Sequence, residues 1–391
     1  MSKVSIDFEN TSIAFANKSD EELQNAYNLF RLMSNSKLVS WGSRATEWAF
    51  KFGIPITTPV RLTIFQQFCG GENLRQCLKP IKRLAEFGVE TILDYGVEAK
   101  QDEEDMEVTA RFLVKNLKLA EKEPDVNIVS AKVTGLIRFK LLKKMSANAT
   151  LSTDELAEWE RGKKRVKFVC KTAFDTNIQL YFDAEESWIQ PAIDALVMDA
   201  SKLYNTEKPI IVNTIQLYRK DRLEFLKNAH KHALDNEYML AVKLVRGAYM
   251  DKERERAEGK GYPSPIQDTK EDTDKDYNEA LKYCVENVET IVFCNATHNQ
   301  QSCEYLMELM EEHGLEKDHP HISSGQLYGM SDHLSFNMAQ SGYNVTKYLP
   351  YGPVKEVIPY LIRRAKENSS VNGQMGRELG LLRAEMERRG L

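Results

Sequence analysis

Several absences narrow what this 391-residue sequence encodes before any motif is considered. Its six cysteines, Cys69, Cys77, Cys170, Cys284, Cys294 and Cys303, form no Cys-x-x-Cys pair and follow no secretion signal, which points to packed, reduced thiols rather than a disulfide framework. The His-x-His pairs His230/His232 and His319/His321 have no Cys or carboxylate neighbours at metal-ligand spacing, so no metal site is expected. No Lys/Arg block stands out and the formal net charge is −5, which argues against a nucleic-acid partner. No apolar run approaches the roughly 20 residues of a membrane span. The opening stretch MSKVSIDFENTSIAFANKSDEELQNAYNLF has neither the Arg-rich amphipathic character of a transit peptide nor the basic-plus-apolar order of a signal peptide. A cytoplasmic protein is expected, peripheral at the inner membrane face if it meets a membrane.

What is present is ordinary globular composition, 42% hydrophobic and 28% charged, with length for one large core or two modest ones. Residues 11–90 read as helices. Ser19 and Glu22 suit a capping box ahead of LQNAYNLFRLM, and ENLRQCLKPIKRLAEFG is an amphipathic helix stopped by Gly88. From there β-type runs alternate with helical stretches: VETILDYG (89–96), NIVSAKVTGL (127–136), IQLYFDAEE (178–186), IIVNTIQLY (210–218), YMLAVKLVRG (238–247), TIVFCNATH (290–298), HISSGQLYG (321–329) and YNVTKYLPYG (343–352). Eight such alternations predict a (βα)8 barrel over 89–370, preceded by a helical arm (1–88) and followed by a C-terminal helix (371–391). Residues 137–177 are too long and too charged for a simple crossover and read as a helical insertion after the second strand.

A barrel places its chemistry at the C-terminal ends of its strands. Those ends hold Glu98, Lys132, Asp183, Gln216, Lys243 with Arg246, Thr297 with His298, Gln326 and Tyr348. A polar residue at nearly every strand end is hard to satisfy by packing, and a shared ligand is the economical partner. Arg246, Gln216, Thr297 and His298 suit a phosphate-bearing cofactor, yet neither G-x-G-x-x-G after a first strand nor G-x-x-x-x-G-K-[ST] occurs. Lys132, Arg363 and Arg364 supply three cations against Asp183, which leaves a site suited to a small anion such as a substrate carboxylate. Tyr360 precedes the two arginines by three and four positions, and Tyr249 and Tyr348 add aromatic walls. Lys132 taken alone would also suit a Schiff-base lyase.

The segments LVRGAYM, NATHN, GQLYGMSDH and, most specifically, YLPYGPVKEVIPYLIRRAKENSS resemble those of the proline dehydrogenase family over roughly residues 89–370, in wording nearer the monofunctional mitochondrial-type and related bacterial enzymes. The resemblance implies a distorted (βα)8 barrel carrying FAD and oxidising L-proline to Δ1-pyrroline-5-carboxylate, with a membrane quinone as electron acceptor and, in a eukaryote, a place on the matrix side of the mitochondrion. It gives catalytic roles to Lys132, Asp183 and Lys243. Gln216, Arg246, Gly247, Ala248, Thr297, His298, Gln326 and Glu367 would bind FAD. Tyr249, Tyr348, Tyr360, Arg363 and Arg364 would close on proline, and Glu98 would pair with Lys243 and link cofactor state to conformation. Lys243 stands where bacterial relatives often carry Arg, which removes a forked donor. The chain length leaves no room for an appended pyrroline-5-carboxylate dehydrogenase domain, so the product is expected to pass to a separate enzyme. Hydroxyproline dehydrogenase is the near alternative, disfavoured because Tyr348 should crowd a 4-hydroxyl group.

Overall fold

The computed structural model describes residues 6–52, 56–96, 102–370 and 374–391. Eight strands form a closed parallel barrel in sequence order: β1 (Val89–Tyr95), β2 (Val126–Ala131), β3 (Gln179–Phe182), β4 (Ile211–Gln216), β5 (Leu240–Val245), β6 (Ile291–Ala296), β7 (Ile322–Leu327) and β8 (Val345–Tyr351). Their near-continuous apolar character follows from burial on both faces, towards the barrel interior and towards the surrounding helices. All six residues of β4, IVNTIQ, are buried.

The chain divides into two compact units, one of Met1–Val97 with Gln326–Leu391 and one of Glu98–Gly325. In the first, the capping box expected at Ser19 and Glu22 is formed: Glu22 N–H donates to the Ser19 hydroxyl at 3.2 Å and Ser19 N–H to the Glu22 carboxylate at 2.9 Å. It starts the helix Asp20–Met33. The helix Leu74–Ala85 ends before Gly88, whose φ of +70° lies in the left-handed region. Leu23, Phe30, Phe68, Val357, Tyr360, Leu361 and Leu382 share one apolar core in this unit.

In the second unit, residues 137–177 resolve into two helices, Phe139–Ser146 and Thr153–Thr176. The longer packs against the helices Glu103–Ala120 and Gln190–Tyr204, the place of a regular crossover between β2 and β3. The additional element is therefore the eight-residue helix Phe139–Ser146. The charge of this segment is matched partly within it and partly by the helix Glu103–Ala120. Arg138 forks onto Glu158 at 2.8 and 2.6 Å, and buried Arg165 reaches Glu103, Glu107 and the Leu136 carbonyl at 2.8–3.0 Å.

Candidate active site

The parallel ladder continues one residue beyond β3. Asp183 N–H donates to the Ala131 carbonyl at 2.9 Å, which sets Asp183 beside Lys132, the residue that follows β2. Lys132 Nζ donates to Asp183 Oδ2 at 2.8 Å, and Lys243 Nζ, from within β5, donates to Oδ1 at 2.5 Å. Ser130 Oγ donates to the same Oδ1 at 3.1 Å. Burial by itself would push the Asp183 carboxyl up, but the two ammonium groups outweigh it and hold it well below the ordinary carboxylate range. Asp183 thereby holds two ammonium groups from different strands side by side.

A second group surrounds Arg246, the residue after β5. Its guanidinium donates to Asp274 at 2.7 Å, Thr297 Oγ1 at 2.7 Å and Ser302 Oγ at 3.0 Å, and stands 4.3 Å from the Tyr277 ring centroid. Gly247 follows with φ +139°, and a β-carbon there would run into the Tyr218 ring, so the turn after Arg246 requires glycine. Ala248 is exposed, and Tyr249 is half-buried as the residue that opens the helix Met250–Lys260. Gln216 ends β4 buried, and its Oε1 has no partner among the described residues. Gln326, also buried, accepts from Ser335 Oγ at 2.8 Å, and His298 is half-buried after Thr297.

Tyr348, Tyr360, Arg363, Arg364 and Glu367 lie in the unit of Met1–Val97 with Gln326–Leu391. Tyr348 is half-buried in β8. Tyr360, Arg363 and Arg364 share the helix Val354–Ser370. Arg364 is buried, with its guanidinium carbon 5.3 Å from the Tyr360 ring centroid, and Arg363 is half-buried. Tyr360 belongs to the apolar core of this unit. Glu367 is on the same helix, but its side chain, like the whole of Glu98, lies outside the described residues. The two His-x-His pairs bond locally: His230 to Tyr283 and Thr290, His232 to Tyr238, and His321 to the Val288 carbonyl.

Reading strand ends alone misses the acids that follow Asp183. Glu185 is buried and accepts from Thr134 N–H at 3.1 Å and Thr134 Oγ1 at 2.5 Å, tying the segment after β3 to the one after β2. Burial pushes its carboxyl up to about 7. Glu253, fully buried, accepts from Ser187 N–H and Oγ, each at 2.6 Å, and Glu186 pairs with Lys252, so the helix after Tyr249 is fastened to the same segment. The available signal was the run of three acids in FDAEE, a density of carboxylates unusual for a buried strand end.

A closed parallel barrel with ion-paired and hydrogen-bonding side chains at the carboxyl ends of its strands defines an enzyme of the (βα)8 class. The sequence model of the family "Proline dehydrogenase" matches residues 77–377, and this chain belongs to that family, oxidoreductases acting on proline. Proline dehydrogenase 2, mitochondrial, of Arabidopsis thaliana is 32% identical over 373 residues, covering 84% of this chain and 78% of its own length. Hydroxyproline dehydrogenase of Xenopus laevis is 31% identical over 422 residues, covering 96% of this chain and 88% of its own. Among solved structures, proline utilization A from Bdellovibrio bacteriovorus shares the fold with a TM-score of 0.74 at 22% identity; the match covers 96% of this chain but only 40% of that longer protein.

Proposed function

We propose that this chain is an FAD-dependent enzyme that oxidises L-proline to Δ1-pyrroline-5-carboxylate and passes the electrons to a membrane quinone. The observation that carries the reading is the family match, which spans Lys132, Asp183, Lys243, Arg246 and both helix arginines. The residues fit the cofactor. Buried Gln216 Oε1 has no partner among the described residues, and the backbone at Gly247, which admits no side chain, adjoins the anchored cation Arg246. Gln216, Arg246, Gly247, Ala248, Thr297, His298, Gln326 and Glu367 would hold FAD, which when bound supplies the acceptor for the hydride leaving proline C5.

The chain's own contribution is placement. Arg363 and Arg364 bind the proline carboxylate, and Tyr249, Tyr348 and Tyr360 bound the ring. Asp183 keeps Lys132 and Lys243 fixed, and the proline amine must be unprotonated for a hydride to leave C5. The product is a substrate for a pyrroline-5-carboxylate dehydrogenase. Several relatives are named mitochondrial, which supports a place beside a respiratory membrane; among the described residues no helix is long and apolar enough to cross one.

The likeness to a hydroxyproline dehydrogenase gives a second reading of the same chemistry. A site that only tolerates or crowds a hydroxyl discriminates by about a hundredfold at most. The native protein should accordingly prefer L-proline over 4-hydroxyproline in kcat/KM, and Tyr348→Ser should narrow that preference by roughly tenfold, because a short hydroxyl side chain gives the 4-hydroxyl both room and a partner. A native preference for 4-hydroxyproline selects the second reading. An unchanged ratio in the variant means that Tyr348 does not meet the ring.

A further inference from the structure

The helix Ser36–Lys51 packs on Val354–Ser370 and on Asp20–Met33, with Val39 and Ser43 buried. Leu38, Trp41, Ala45, Trp48 and Phe52 follow one another at intervals of three and four residues, so they run in a single stripe along the helix and just past its end. The large members of this stripe face outward: Trp41 is 72% exposed, Phe52 61%, Trp48 58% and Leu38 46%. The Trp48 and Phe52 rings lie against each other at 4.6 Å. Leu32 and Leu62 extend the exposed set. Of the 14 large hydrophobic side chains exposed among the described residues, six fall between positions 32 and 62, a concentration that single scattered surface residues do not produce. Two of the chain's four tryptophans are among them.

The charge around the stripe is opposite in sign to that of the protein. Residues 31–62 contain five basic residues, Arg31, Lys37, Arg44, Lys51 and Arg61, and one acidic residue, Glu47, in a chain of net charge −5; of these, Arg61 pairs with Glu72 at 2.7 Å. Lys37 and Arg44 are exposed, and each precedes a stripe tryptophan by four positions, so they border the apolar stripe along one edge. Tryptophan and phenylalanine on one face with lysine and arginine beside them is the composition that seats a helix in the headgroup region of a bilayer, rings at the acyl boundary and cations on lipid phosphates.

We propose that this face docks the protein on an anionic bilayer, with Leu38, Trp41, Trp48 and Phe52 entering the interface and Lys37 and Arg44 meeting the headgroups. Self-association through the same face in an antiparallel two-fold contact is disfavoured by charge, because it would set the basic border of one copy against that of the other. The proposal rests on the reading of a lipid-dissolved electron acceptor, but its test needs no acceptor. A protein held at the bilayer surface has its acceptor delivered by lateral diffusion in the lipid.

The test is co-sedimentation of the full-length protein with vesicles of neutral phosphatidylcholine and with vesicles containing one third phosphatidylglycerol, at 0.05 M and 0.5 M salt. The native protein should bind the anionic vesicles, with affinity falling as salt rises. Each basic residue near such a surface contributes about fivefold, so Lys37→Glu with Arg44→Glu should weaken binding by at least about 25-fold. Trp41→Ser with Trp48→Ser should weaken it at least tenfold on both kinds of vesicle. All variants should keep the native melting temperature and native proline turnover with a soluble dye acceptor, because these side chains are outside the core. If native protein ignores anionic vesicles, or if the variants bind as the native does, the proposal is wrong. It is equally overturned if the native protein is a dimer that Trp41→Ser with Trp48→Ser converts to monomer, since the face is then a contact between copies. Absence of proline turnover with the dye would refute the enzymatic reading alone and leave the vesicle result standing by itself.

Discussion

Replacing Asp183 by alanine should be among the most damaging single changes in this protein. It leaves Lys132 and Lys243, both largely buried, facing each other without the carboxylate that lies 2.8 and 2.5 Å from their ammonium groups. Removing one partner of a buried ion pair typically costs about 3–5 kcal/mol. Urea unfolding should show a loss of that size for Asp183→Ala. Asp183→Asn keeps the shape and one acceptor, so it should lose less stability yet still lower kcat/KM for proline by roughly tenfold to a hundredfold. The pH dependence has a definite sign. Because the folded state holds the Asp183 carboxyl well below its unfolded value, the stabilisation is complete above about pH 4 and is lost as pH falls below it. The native protein should therefore show no Asp183-linked loss of stability between about pH 9 and pH 5, and Asp183→Asn should lose the acid-side component. A variant within about 0.5 kcal/mol of native stability would show the cluster to be incidental.

Arg363→Met and Arg364→Met should act on substrate binding. The carboxylate of proline does not react, so its contacts exist before and during hydride transfer, and their loss falls mainly on KM. A hydrogen bond to a charged group contributes about 1.5–3 kcal/mol, which corresponds to about 10- to 150-fold in kcat/KM for each variant. Flavin content should remain native, since neither arginine is assigned to the cofactor. Arg364 also covers the Tyr360 ring, so its variant should melt somewhat lower, whereas half-buried Arg363 should not. Near-native KM with full flavin in both variants would return the pair to the status of a structural basic face.

Much of this was legible without coordinates because a parallel barrel leaves a strong local signature. β4 and β5 are buried throughout or nearly so, and they read as short apolar runs with β-branched residues, with Gln216 closing β4 and Arg246 following β5. The capping box at Ser19 depends on residues three apart and is equally visible. The matched charges of 137–177 were not, since Arg165 finds Glu103 and Glu107 about 60 positions away, and sequence separation hides such partners. Lys347 is a clearer case. It sits in β8 next to Tyr348 but is only 1% exposed and pairs with Asp332 at 2.8 Å, which in turn meets Lys18 at 3.1 Å. A lysine in an apolar strand gives no hint of which face it takes when both faces are buried. The roles of Glu185 and Glu253 were hidden for a related reason: their partners are backbone and hydroxyl groups of loops, which carry no distinctive residue pattern.

The central claim is that the strand-end residues serve a flavin that accepts electrons from proline. The most direct measurement is the visible spectrum of the purified protein, supplied with FAD and kept free of oxygen, before and after addition of L-proline. A flavin absorption band that stays with the protein through gel filtration and bleaches on addition of proline, but not of D-proline, is the result this account predicts. A protein that remains colourless after incubation with FAD, or whose bound flavin is unchanged by L-proline, would contradict it.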